Sequence, residues 1–67
     1  MNRNPHRLKT LQNYLSMVKS HPVFAAKHPE LVEKLEGYVK TGEEGGNLDW
    51  TQIMQFIMMI LQLLFHV

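Results

Sequence analysis

Residues 49–67 constrain this chain more than any other stretch, with the sequence DWTQIMQFIMMILQLLFHV. From Trp50 onward the stretch contains no lysine, arginine, aspartate or glutamate, and most of its residues are apolar. Such a segment must pack against the rest of the chain, another protein or lipid, because burial of apolar surface drives folding and association. We therefore interpret the preceding residues by how they would cover this segment or keep it in solution.

On a helical wheel at 100° per residue, this stretch separates into a polar arc and an apolar arc. The polar arc covers about 100°. Its members are Gln52, Gln55, Gln62, His66, Thr51 and Met59. The apolar arc covers about 220°, which is wider than an amphipathic helix needs when two partners cover it. Its members are Trp50, Ile53, Met54, Phe56, Ile57, Met58, Ile60, Leu61, Leu63, Leu64, Phe65 and Val67.

The start of this helix is marked by Asp49, whose carboxylate is suited to accept hydrogen bonds from the unpaired N–H groups of a first turn. Gln52 follows three residues later, as in a capping box, and Asn47 is an alternative cap. The sequence therefore predicts a helix over residues 49–67.

An amphipathic helix is predicted at the start of the chain, over residues 5–20. Asn4 and Pro5 form a favourable N-cap and first position, because proline lacks an N–H that would be unpaired there. The helix should end before Pro22, since the residue preceding a proline is disfavoured in the α region. Its apolar residues recur at helical spacing within about 120°. They are Leu8, Leu11, Tyr14, Leu15 and Val18.

A second amphipathic helix is predicted over residues 29–41, after a short helical turn at residues 22–27. Glu30 lies in its first turn, where the helix dipole favours negative charge. Gly42 is expected to end it in the left-handed conformation. Residues 42–47 then form a Gly-rich loop, short enough to make the helices on either side antiparallel. The apolar residues of this helix are Leu31, Val32, Leu35, Tyr38 and Val39.

The chain length of 67 residues predicts one small domain over residues 1–67. A domain of this size leaves roughly 3–5 kcal/mol of net stability from its core and often depends on a staple or a partner chain. There is no cysteine, which excludes disulfides and thiolate zinc sites. We therefore expect an all-α fold, a small three-helix bundle that is completed by oligomerisation through its C-terminal helix.

Charge is distributed unevenly, although the net charge is only +1. Residues 1–28 contain five basic and no acidic side chains, and residues 29–49 contain six acidic side chains and two lysines. This pattern favours two neighbouring helices of opposite charge that attract each other. The alternative is a basic arm for nucleic acid or anionic lipid, but five charges without interleaved aromatic residues do not predict nucleic acid as a partner.

No arrangement of polar residues predicts catalysis, a cofactor site or a metal site. His21 and His28 each precede a proline, so they are expected at helix corners or caps and not as an aligned ligand pair. The serines lack a nucleophile elbow, and Gly45-Gly46 is a turn without the pattern of a phosphate loop. The sequence therefore predicts a protein that is not an enzyme.

A membrane location for the C-terminal helix is the alternative to a protein contact. The 18 residues from Trp50 would extend about 27 Å against a hydrocarbon thickness of about 30 Å. However, Gln55 and Gln62 would be buried in lipid without partners, and the preceding flank is acidic. The N-terminal residues contain no apolar signal region, so we expect a cytoplasmic protein, with membrane association as the alternative.

The prediction for function is a small non-enzymatic interaction or oligomerisation module. It would act through the part of the C-terminal helix that the two other helices leave uncovered, packing against a second copy, as a dimer, or against a larger protein. The covered side is expected to contain Leu63, Phe56, Ile60, Ile53 and Leu64. The predicted interaction surface consists of Trp50, Met54, Ile57, Met58, Leu61 and Phe65.

Overall fold

A computed structural model describes residues 5–66 of the chain, and the predicted N-cap Asn4 and the final residue Val67 lie outside this range. The described residues form an all-α structure with four helices, as the sequence predicts for the fold class. The predicted helical turn at residues 22–27 is itself a six-residue α-helix. The helices are α1 (Pro5–Lys19), α2 (Pro22–Lys27), α3 (Pro29–Glu43) and α4 (Trp50–Phe65).

Two His-Pro pairs form the corners that flank α2. The Nδ1 atom of His21 accepts a long hydrogen bond from the backbone N–H of Phe24, at 3.5 Å, and caps the start of α2. The backbone N–H of His28 donates to the carbonyl of Phe24 and ends the same helix. Each proline occupies the start of the next helix, where its missing N–H has no consequence. These histidines therefore have the corner and cap positions that the sequence predicts.

The C-terminus of α3 differs from the prediction. The helix continues through Gly42 to Glu43, and the left-handed residue is Gly45, with φ of 81°. The N–H of Gly45 donates to the carbonyl of Gly42, and the N–H of Gly46 donates to that of Thr41. This pair of bonds defines a Schellman motif, which satisfies the last carbonyls of a helix. The helix therefore extends two residues beyond the approximate end predicted at residue 41, and the connection covers residues 44–49 where the sequence predicts a loop at 42–47.

Gly42 lies in a closely packed part of α3. A Cβ atom at Gly42 would lie 2.7 Å from Cδ1 of Leu8 and 3.1 Å from Cδ1 of Leu48. The absence of a side chain lets the end of α3 approach α1 and the connection to α4 closely. The left-handed conformation belongs to a different glycine of the same cluster.

The N-terminus of α4 agrees with the prediction. Oδ1 of Asp49 accepts a hydrogen bond from the backbone N–H of Gln52 at 3.3 Å, so Asp49 is the N-cap. The helix ends at Phe65, where the backbone N–H of His66 donates to the carbonyls of the last turn. The helix is thus slightly shorter than the predicted range of 49–67.

The hydrophobic core contains side chains from all four helices, and none of the described buried residues is polar or charged. α1 and α3 lie close together, whereas the backbone of α4 lies farther from both. α4 contacts α3 through large side chains, among them Phe56, whose ring meets Tyr38 edge-on at a centroid distance of 5.6 Å. The core residues are Leu11, Val18, Phe24, Leu35, Val39, Ile53, Phe56, Ile57 and Ile60.

Polar contacts between α1 and α3 agree with the predicted attraction between a basic and an acidic helix. Nζ of Lys19 lies 3.0 Å from a carboxylate oxygen of Glu36. Nε2 of Gln12 donates to a carboxylate oxygen of Glu43 at 2.8 Å. Both side chains of the ion pair remain about half exposed, so the pair contributes at most about 1 kcal/mol. These contacts orient α1 and α3, and the core supplies most of the stability.

Two glycine substitutions test this description of α3. Gly45→Ala should lower the free energy of unfolding by about 1–2 kcal/mol, because alanine is strained in the left-handed conformation. Gly37→Ala should raise it by up to about 1 kcal/mol, because Gly37 lies within α3 and a Cβ there meets nothing within 4 Å. Urea unfolding followed by circular dichroism measures both. A destabilising effect of the same size at both positions would contradict the assigned helix end.

Candidate interaction surface

One face of α4 carries large apolar side chains that the rest of the chain leaves exposed. Met54 is 55% exposed, Met58 58% and Phe65 83%. Their spacing of four and seven residues places them on the same side of the helix. Two half-buried residues, Trp50 and Leu61, continue the same line along the inner edge. We call these five residues the α4 stripe, and they lie within about 80° of the helix circumference.

The structure divides the six residues of the predicted interaction surface into three groups. Met54, Met58 and Phe65 are exposed, and Trp50 and Leu61 are partly buried against the core. Ile57 is only 5% exposed and is a core residue, so the expectation that it has no cover within the chain is wrong.

The covered side of α4 is correctly predicted at Ile53, Phe56 and Ile60, which are all buried. Leu63 and Leu64 are only half-buried, because they lie near the end of the helix. The buried face is centred between Ile53 and Ile60, so it is rotated toward Ile57 relative to the prediction. A helical wheel predicts the width of the apolar arc. It does not predict which part of the arc faces α1 and α3, because that depends on how the helices pack.

A groove of about 600 Å³ lies beside the α4 stripe, between α1 and α4. It exists because the backbones of these two helices lie far apart, and it is open to solvent. Arg7, near the start of α1, lies beside Trp50 at the start of α4, so the two helices begin at the same end of the groove. The walls are mostly apolar. They are formed by His6, Arg7, Thr10, Leu11 and Tyr14 of α1 and by Trp50, Thr51, Met54, Gln55, Ile57 and Met58 of α4.

Arg7 and Trp50 meet at one end of this groove. The guanidinium carbon of Arg7 lies 5.6 Å from the centroid of the indole ring, which is within the range of a cation–π contact. Such a contact contributes about 0.5–1 kcal/mol at exposed positions and fixes the orientation of the ring. The α1 wall of the groove, with Arg7 and Tyr14, was missed at the sequence level. Its only sequence signal is the position of Tyr14 at the edge of the α1 apolar arc.

His28 contacts an acidic and an aromatic neighbour at the second His-Pro corner. Nδ1 of His28 lies 3.7 Å from a carboxylate oxygen of Glu30, and its ring lies 5.0 Å from that of Phe24. Within residues 5–66, no three histidine, cysteine, aspartate or glutamate side chains are grouped so that they could hold a metal ion. In the same range, no helix combines the length and the apolar character that crossing a membrane requires.

Comparison of the chain with protein-family models, with curated proteins and with solved structures finds no match. The candidate site is therefore defined by its own geometry, which is an apolar stripe on α4 next to an open groove.

Adjacent residues of α4 test the rotation of the helix. Ile57→Val should lower the free energy of unfolding by about 0.5–1.5 kcal/mol, because a methyl group is removed from the core. Met58→Ala should change it by less than about 0.5 kcal/mol at low protein concentration, because the side chain is exposed. Urea unfolding at sub-micromolar concentration measures both. A larger effect at Met58 than at Ile57 would show that the helix is rotated differently.

Proposed function

We propose that this chain is a small, non-enzymatic interaction module that forms a homodimer through the α4 stripe. In this proposal α1, α3 and α4 form a three-helix bundle, α2 is its corner, and a second copy completes it. The observation that carries the proposal is the exposure of Met54, Met58 and Phe65 on one face of a helix without charged residues.

The arrangement of these side chains favours a contact role. Single exposed apolar residues are common on soluble proteins and need no explanation. Here the exposed residues are aligned, continue into half-buried neighbours and border a groove. Methionine is also frequent on adaptable binding surfaces, because its side chain is flexible and polarisable. Two of the three exposed residues of the stripe are methionines.

A second copy fits this surface better than a lipid surface does. α4 carries no charge, so two α4 helices meet without repulsion between like charges. Anionic lipid attracts lysine and arginine next to an apolar segment. The residues just before α4 include Glu43, Glu44 and Asp49, which such a surface would repel.

The expected affinity is modest. Full burial of a methionine or phenylalanine side chain contributes about 1.5–3 kcal/mol, and each copy would bury three partly exposed ones. Association costs an estimated 4–15 kcal/mol in lost motional freedom. Because these opposing contributions are of similar size, we expect weak association, and we centre the test on a dissociation constant on the order of 10–100 μM. We therefore expect an equilibrium between monomer and dimer.

Sedimentation velocity over a concentration series tests the dimer. The wild-type chain should change from monomer to dimer between about 5 and 500 μM, a range set by the affinity estimate. Met58→Lys should remain monomeric, because a buried, unpaired charge in the contact is strongly unfavourable.

Met59→Lys is the matched control, because Met59 is the neighbouring methionine and lies outside the α4 stripe. It should dimerise like the wild type. A wild-type chain that stays monomeric at the highest concentration of the series would contradict the proposal. Flotation of the chain with anionic liposomes, abolished by Met58→Lys, would replace it with a membrane-surface role.

A further inference from the structure

The methionines of this chain lie on its surface. Four of the five fall within the described residues, with Met17 on α1 and with Met54, Met58 and Met59 on α4. They are between 39% and 58% exposed, and none of the four belongs to the core or to the partly buried residues packed against it. Methionine commonly fills gaps in hydrophobic cores. Here a chemical change at these four residues alters the surface of the chain and leaves the core as it is.

The thioether of methionine reacts with peroxides. The sulfur attacks one oxygen of hydrogen peroxide, so that an S–O bond forms and the O–O bond breaks. The second oxygen leaves as hydroxide and takes the proton of the transferred oxygen, which gives methionine sulfoxide and water. The sulfur is oxidised by the two electrons that reduce the peroxide. The side chain thereby changes from flexible and apolar to polar.

We propose that Met54 and Met58 are oxidation sites, at which a peroxide converts the α4 stripe from an apolar to a polar surface while the chain stays folded. They are the two most exposed methionines of the described residues, at 55% and 58%. They are also two of the three exposed members of the stripe, and Phe65 is the third. A spacing of four residues places both sulfurs on the same face, so both changes act on one surface. Oxidation of the monomer requires no second copy, so this proposal is independent of the homodimer.

The fold should tolerate this change. Other side chains hold α4 in the core, among them Ile53, Phe56 and Ile60, which are all buried. Met54 and Met58 are more than half exposed, so a sulfoxide oxygen there reaches water. It therefore lacks the cost of a buried polar group without a hydrogen-bond partner. Oxidation acts on the stripe and not on the packing of α4.

Met17 and Met59 provide a comparison within the same chain. Met59 follows Met58 directly but lies outside the α4 stripe, and Met17 belongs to α1. They are 41% and 39% exposed, which is less than either methionine of the stripe. Because a peroxide must reach the sulfur, we expect Met54 and Met58 to be oxidised first. Sulfoxides at Met17 and Met59 would leave the stripe unchanged.

Peroxide treatment tests the order of oxidation. The chain is used at about 1 μM, well below the dissociation constant on which the sedimentation series is centred. Peptide mass spectrometry follows the gain of one oxygen at each methionine, and circular dichroism follows the helix content. Met54 and Met58 should gain oxygen faster than Met17 and Met59, at constant helix content. Equal or slower oxidation of Met54 and Met58, or loss of helix content as they react, would overturn the proposal.

Two leucine variants test the effect on the stripe. Leucine keeps an apolar side chain of similar volume and cannot form a sulfoxide. Retention on a hydrophobic column should fall on oxidation in the wild type and in the Met17→Leu/Met59→Leu control. It should fall much less in Met54→Leu/Met58→Leu, after circular dichroism has confirmed that both variants are folded. An equal loss of retention in the two double variants would contradict the assignment of the sites.

Reduction of the sulfoxides completes the test. Methionine sulfoxide reductases reverse the reaction. Retention of the oxidised wild type should therefore return to its original value, because the fold is intact. Retention that stays low after all four sulfoxides are reduced would overturn the proposal, since peroxide would then have acted elsewhere. A chain that never dimerises would refute the proposed function without changing any of these outcomes.

Discussion

The rest of this structure depends on how α4 packs, because the described helices bury only one side of it. α1 and α3 lie close together and bury one side of α4, represented by Ile53, Phe56, Ile57 and Ile60. The apolar arc of α4 is wider than this contact. Its remainder becomes the α4 stripe, and the distance between α1 and α4 leaves the groove. The α4 stripe and the groove therefore have the same origin: the apolar arc of α4 is wider than the surface that the other helices cover.

Caps and corners formed by neighbouring residues determine where each helix begins and ends. Two His-Pro corners reverse the chain between α1 and α3, a Schellman motif ends α3, and Asp49 caps α4. An N-cap such as Asp49 contributes on the order of 1 kcal/mol, which is a large share of the stability of a 67-residue domain. Such caps and corners matter because the core is small and the chain has no cysteine to form a disulfide.

Sequence reasoning predicts the features that depend on neighbouring residues. The helices, the Asp49 cap and the His-Pro corners follow from side-chain chemistry within a few positions. The sequence prediction assigns the left-handed residue to Gly42, because several glycines close together could each supply it; in the structure it is Gly45. The same prediction places Ile57 outside the core, since the rotation of α4 is set by its partners. The groove depends on the separation of helices, which no local pattern contains.

In the proposed homodimer, a second copy covers the α4 stripe. Nuclear magnetic resonance of methionine methyl groups on dilution tests it most directly, because methionines lie inside and outside the stripe. The methyl resonances of Met54 and Met58 should move with concentration, and those of Met17 and Met59, which are also exposed, should not. Equal movement of all these resonances, or none at any concentration, would contradict the account.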